Sequence, residues 1–169
     1  MKIVHLCLGN FFSDNYSYQE NMLSKFHKKQ GYDVEVIASL ETFDKDGKPC
    51  LYSGKKKYIN ENDVYVTRLN YKNPQKIYKK LRRFVGFEDA LDKAKPDILF
   101  IHNVQFLDID KVIKYVKKHP KTKIFCDNHA DYVNSAQNPL SRKILHGIIW
   151  KHCAKSIEPY TTKFYGVLP

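Results

Sequence analysis

The stretch Cys126–Pro139, CDNHADYVNSAQNP, runs from an apolar segment straight into His129, which stands between Asp127 and Asp131. An imidazole titrates near neutrality, so a histidine with a carboxylate beside it can shuttle a proton or bind an anion when charged. The competing reading is a polar turn that merely ends a strand. His102 and Asn103 close the apolar run PDILFIHN in the same manner, and Gly9 and Asn10 close KIVHLCL. Each polar exit is modest alone. Their placement in the fold decides what they are worth.

The elements that must position them follow from hydrophobic patterning. KIVHLCL is a compact apolar run of the kind found in strands buried on both faces. A loop, GNFFSDN, follows, with Ser13 or Asp14 available to cap a helix over YSYQENMLSKFHKKQ. The spacing puts Gln19, Met22, Leu23 and Phe26 on one face of that helix, and Gly31 stops it. DVEVIASL is a second strand. Residues 41–63 are polar and rich in lysine, a long loop or a short hairpin. VYVTRLNY is a third strand, and Pro74 opens a helix with Ile77, Leu81, Phe84 and Val85 as its apolar stripe. PDILFIHN is a fourth strand. The helix after it carries Ile109, Val112, Ile113 and Val116 and ends at Pro120. TKIFCDN is a fifth strand, and Asn138-Pro139 opens a helix bearing Ile144, Leu145, Ile148 and Ile149. KSIEPY is expected as a short sixth strand and TTKFYGV as a final helical turn or two. Strand alternating with helix specifies an α/β fold, a Rossmann-like doubly wound parallel sheet flanked by helices. Such sheets bind ligands at the carboxyl ends of their strands, which is where Gly9, Asn10, His102, Asn103, Asn128, His129 and Asp131 fall.

Composition narrows the function classes. The 169 residues suffice for one domain with a sizeable core, and 43% of them are hydrophobic. No apolar run reaches the roughly 18 residues of a membrane span. The first strand is too short for a leader and lacks a small-residue cleavage site, so a cytoplasmic location is expected. Four scattered cysteines form no C-x-x-C pair, which argues against a zinc or redox site. The first loop carries one glycine where a dinucleotide fingerprint needs three. Asp108-Ile-Asp110 resembles a metal-binding D-x-D pair, but both acids occupy a helix first turn where the macrodipole favours them. No metal is expected. A net charge of +11 points to an anionic partner. Lys76, Lys79, Lys80, Arg82 and Arg83, with Tyr78 and Phe84, are expected to form a basic helix face at a membrane surface. No nucleic-acid motif accompanies them, so nucleic acid is not expected as a partner.

The segments MKIVHLC, YSYQENMLSKFHKKQGYDVEVIAS, PDILFIHN, CDNHADYVNSAQN and KFYGVLP, taken in order, resemble the N-terminal half of family 4 retaining glycosyltransferases of the GT-B type. The resemblance implies two Rossmann-like domains with the active site between them: the N-terminal one binds a glycan or lipid-linked acceptor, the C-terminal one a nucleotide-sugar donor. No metal or other cofactor is implied. It implies that His129 stands near the transferred sugar as the catalytic histidine. Gly9 and Asn10, Tyr18 and Gln19 of the YQE segment, His102, Asn103, Asn128 and Asp131 would bind substrate. It also implies that residues 1–169 are a single acceptor-side domain, that the donor half lies outside this chain, and that the chain alone does not turn over. Two other classes stay open: a non-catalytic basic module for anionic membrane or nucleic acid, and a metal-dependent hydrolase using His102, Asp127 and His129.

Overall fold

A computed structural model describes residues 1–128 and 141–166. Nine strands and five α-helices lie along them. They are β1 (Lys2–Cys7), α1 (Gln19–Lys29), β2 (Asp33–Ala38), β3 (Glu41–Phe43), β4 (Pro49–Leu51), β5 (Lys57–Ile59) and β6 (Tyr65–Arg68). Then come α2 (Gln75–Leu81), α3 (Phe87–Ala94), β7 (Ile98–His102), α4 (Ile109–Lys118), β8 (Lys123–Asn128), α5 (Lys151–Ile157) and β9 (Thr161–Gly166). A π-helical stretch, Ser141–Trp150, leads directly into α5.

The main sheet has the order β5-β6-β2-β1-β7-β8-β9. Every pairing in it is parallel except β5 with β6. The six parallel strands run third, second, first, fourth, fifth, sixth, the Rossmann order, so the expected α/β fold is the one observed. The direction of winding reverses between β1 and β7. At that switch point the loops leave in opposite directions and open a crevice at the carboxyl ends of the two strands.

The two faces of the sheet are packed differently. Val4, Leu6, Leu99, Ile101 and Ile124 join Phe84, Phe87, Leu91, Phe106 and Val112 in one large apolar core. The other face carries a small cluster of Cys7, Phe12, Val34, Val36, Ala38, Val64 and Val66. Beside it, α1 turns inward Glu20, Asn21 and Ser24, and Phe26 stays half exposed. The apolar face expected for α1 is therefore not the buried one. Hydrogen bonds select the inward face instead: the Asn21 amide donates to the Ser13 carbonyl (3.0 Å), the Ser24 hydroxyl to the Asn21 carbonyl (3.0 Å), and Asn10 to Glu20. Small polar residues also let the helix lie close to the strands. Ser13 and Asp14 do not cap α1, whose N-cap is Tyr18. Ser13 bonds Thr42 (2.9 Å), and Asp14 pairs with the buried Arg68 (3.5 Å).

Two further expectations are corrected, and a choice left open for residues 41–63 is settled as the hairpin. The helix opened by Pro74 stops at Leu81, because Arg82 takes a left-handed conformation (φ 52°). Ile77 and Val85 are thus exposed, whereas Phe84 is buried against Tyr71, ring centroids 5.0 Å apart. A separate helix, α3, follows. At the C-terminus, KHCAKSI is α5 and TTKFYG is the sixth parallel strand, the reverse of the expected assignment. Residues 41–63 hold the β3–β4 hairpin and β5. No helix among the described residues is long and apolar enough to cross a membrane.

Candidate functional site

The carboxyl ends of β1 and β7 meet at Gly9 and Asn103. A Cβ at Gly9 would collide with the Asn103 carbonyl, so only glycine lets the two chain segments touch. Asn103 holds the turn in a left-handed conformation (φ 65°) that its short polar side chain tolerates. Its amide donates to the Gly9 carbonyl (3.2 Å), its Oδ1 accepts from the Gln105 N–H (3.0 Å), and its own N–H donates to the Asp127 carbonyl (3.1 Å). Asn103 thereby ties three strands together at the switch point, with its side chain committed to backbone.

His102 is fully buried one residue earlier. Its Nδ1 lies 2.8 Å from Asp127 Oδ2 and its Nε2 lies 2.9 Å from His5 Nδ1. Gln19, from α1, donates to the same Asp127 oxygen (3.2 Å), which brings the first and last of these elements together. Asn128 follows Asp127 and is exposed at the edge. Tyr18 is exposed beside Tyr16 and Phe43, ring centroids 5.3 and 6.1 Å away. Gly9, Asn10, Gln19, His102 and Asn103 are therefore one connected group, with Tyr18 and Asn128 at its margins. His129 and Asp131 lie outside the described residues.

The basic residues of the α2 region divide. Lys76, Lys79 and Lys80 are exposed and line a cleft of about 1000 Å³ together with Ile77, Leu81, Gln105, Leu145, Ile149 and Trp150. Arg82 turns inward. It donates to the carbonyls of Gly9 and Gln105 (2.9 Å to the latter) and faces Glu41 at 3.9 Å, so it braces the β1 and β7 loops. Burial lowers its pKa and Glu41 opposes that, which keeps the guanidinium charged in so enclosed a position. Arg83 points the other way and pairs with Asp108 and Asp110, both at 3.1 Å. Neither arginine belongs to an open membrane-facing surface, so the expected five-cation face reduces to three lysines. Asp108 also accepts from the Phe84 N–H (2.7 Å), so the D-x-D pair anchors the end of the α2 loop. Among the described residues no cluster of three or more histidines, cysteines or acids is arranged to hold a metal.

His5, His27, Glu41, Gln105 and Trp150 were not singled out from the sequence. His5 had a signal: a histidine inside an apolar strand must find a polar partner when buried. Burial first, then His102 and His27, pushes the His5 pKa well below its ordinary 6.5, and burial depresses His27 as well. Both rings are neutral in the folded protein near pH 7. Below about 6.5 the unfolded chain binds protons on these rings that the folded chain refuses, so stability is full above that pH and is lost as pH falls. Stability, and the melting temperature with it, is expected to drop between about pH 7 and 5, by up to about 1.4 kcal/mol per pH unit for the buried His5 and by less for the partly exposed, solvent-screened His27. A melting temperature that rises over that window would contradict the neutral assignment.

Three of the four cysteines are inert in this arrangement. Cys7, Cys126 and Cys153 are buried, and burial pushes the thiols up, to about 12 for Cys126 and about 11 for Cys153. A scan against protein-family models and a search of curated proteins each found no match to this chain.

Proposed function

We propose that this chain is the acceptor-side domain of a retaining glycosyltransferase of the GT-B type, transferring a sugar from a nucleotide-sugar donor to a lipid-linked acceptor in the synthesis of cell-surface polysaccharide or lipopolysaccharide. In this reading the protein works in the cytoplasm at the inner face of the membrane, and these residues alone do not turn over. The observation that carries the reading is the cleft. It lies beside the switch point of a Rossmann sheet, joined to it by Arg82 and Gln105, and combines an apolar wall with surplus cations. Glu41, the one acid among its described lining residues, lies within 4.0 Å of Lys79 and Arg82, whereas Lys76 and Lys80 have no ion pair among the described residues. Ile77 and Ile144 are about half exposed along it, at 54% and 44%. An amphiphile with a phosphate head and an apolar tail satisfies both halves of this lining; a plain neutral glycan satisfies neither.

Retaining transfer needs negative charge on the leaving diphosphate stabilised and the sugar held by hydrogen bonds that strengthen in the transition state. His129 is assigned the second task. In a protein that carries both halves, His129→Ala is expected to lower kcat about 10²-fold or more while leaving the melting temperature unchanged. Unaltered turnover in that variant would remove His129 from the mechanism. The same lysines favour a second reading, a non-catalytic module that docks on anionic membrane. Binding to phosphatidylglycerol vesicles that is equally strong with and without a competing lipid-linked sugar would favour the second reading.

A further inference from the structure

Three imidazoles and a carboxylate stand in single file beneath α1. His27 Nδ1 lies 3.0 Å from His5 Nε2, His5 Nδ1 lies 2.9 Å from His102 Nε2, and His102 Nδ1 lies 2.8 Å from Asp127 Oδ2. We propose that His27, His5, His102 and Asp127 form a proton relay that carries a proton across the α1 face of the sheet, between solvent at α1 and the carboxylate beneath the carboxyl edge.

Hydrogen-bond chemistry fixes its direction. A carboxylate only accepts, so a neutral His102 carries its hydrogen on Nδ1 and leaves Nε2 as an acceptor. His5 Nδ1 must then donate to it, which leaves His5 Nε2 to accept from His27 Nδ1. All three rings are Nδ1–H tautomers, and His27 Nε2 is the entry atom. His27 is partly exposed; His5, His102 and Asp127 are buried. A proton bound at His27 Nε2 releases the Nδ1 proton to His5, His5 releases its own to His102, and His102 releases its own to Asp127. The balance is one proton taken from solvent, three neutral rings now hydrogenated on Nε2, and one carboxylic acid. The reverse passage restores the start. No water is needed at any step, because each donor already faces its acceptor.

The surroundings insulate the path. Phe100 lies against His5 and His102, ring centroids 5.5 and 4.8 Å away, and Tyr32 packs edge-on to His27. Among the described residues, the titratable and charged neighbours include Cys7 on β1, whose thiol burial keeps protonated, Glu20 on α1, which accepts from Asn10, and the Arg68 guanidinium at the end of β6. A merely structural polar cluster needs satisfied partners, which amides supply; imidazole adds the ability to accept at one nitrogen while releasing from the other. Protonating Asp127 removes a negative charge from beneath the edge a diphosphate would approach. That consequence rests on the glycosyltransferase reading, and the relay does not.

The test is nuclear magnetic resonance of the unliganded chain with ¹⁵N-labelled histidine. At neutral pH, His5 and His102 are expected as neutral Nδ1–H tautomers, a result that requires no variant. In His27→Gln, the amide can still donate to His5 but cannot pass a proton. Exchange of the His102 Nδ1–H with solvent is then limited to local opening and is expected to slow about tenfold or more. An unchanged exchange rate in the folded variant, or an Nε2–H tautomer on either buried ring, would overturn the relay. Neither readout involves a sugar or an acceptor, so the relay and the proposed function fail separately.

Discussion

Asp127→Ala is expected to destabilise the domain by about 3–5 kcal/mol, from the loss of two hydrogen bonds to a buried carboxylate at about 1.5–3 kcal/mol each. Asp127 is fully buried and accepts from both His102 (2.8 Å) and Gln19 (3.2 Å). Alanine leaves the His102 N–H without an acceptor in an apolar setting, and β7, β8 and α1 lose the side chain they share. For a chain of this size the melting temperature falls by about 2–4 °C per kcal/mol, which predicts a drop on the order of 10 °C. Asp127→Asn is the control. Its amide oxygen still accepts from His102, so the loss should shrink to about 1–3 kcal/mol. Thermal melts followed by circular dichroism separate the two, and equal losses would mean that the carboxylate charge contributes nothing.

The second large effect falls on the cleft. Replacing Lys76, Lys79 and Lys80 together by Ala is expected to weaken binding to micelles of a polyprenyl-phosphate sugar about 10²-fold, from about 1 kcal/mol for each cation near an anionic surface. The melting temperature should hardly move. All three side chains are exposed, the Lys79–Glu41 contact is long at 4.0 Å, and Glu41 keeps Arg82 at 3.9 Å. Tight binding retained by the triple variant would place the acceptor elsewhere.

The order of strands and helices was legible because buried parallel strands read as unbroken apolar runs, as in KIVHLC, DILFIH and KIFC. The polar strand exits were legible for the same reason: Gly9 and His102–Asn103 interrupt those runs and do meet at the switch point. Helix α1 misled because its face is chosen by hydrogen bonds of Glu20, Asn21 and Ser24, which hydrophobic periodicity counts as outward. The C-terminal strand TTKFYG misled because five of its six residues are exposed at a sheet edge, so no apolar run announces it. Arg82 and Arg83 read as part of a solvated helix because their inward partners, the Gly9 and Gln105 carbonyls and Asp108, are distant in sequence. The histidine file needed three elements brought together, and only His102 had been marked.

In the proposed function, the cleft beside the switch point receives an acceptor and the donor belongs to another domain. Titrating the methyl-labelled chain separately with a polyprenyl-diphosphate-linked sugar in micelles and with nucleotide sugars tests it most directly. The lipid-linked sugar is expected to shift the methyl signals of Ile77, Leu81, Leu145 and Ile149, and nucleotide sugars to leave them in place. Nucleotide sugars that shift these signals, or a lipid-linked sugar that leaves all four unmoved, would contradict it.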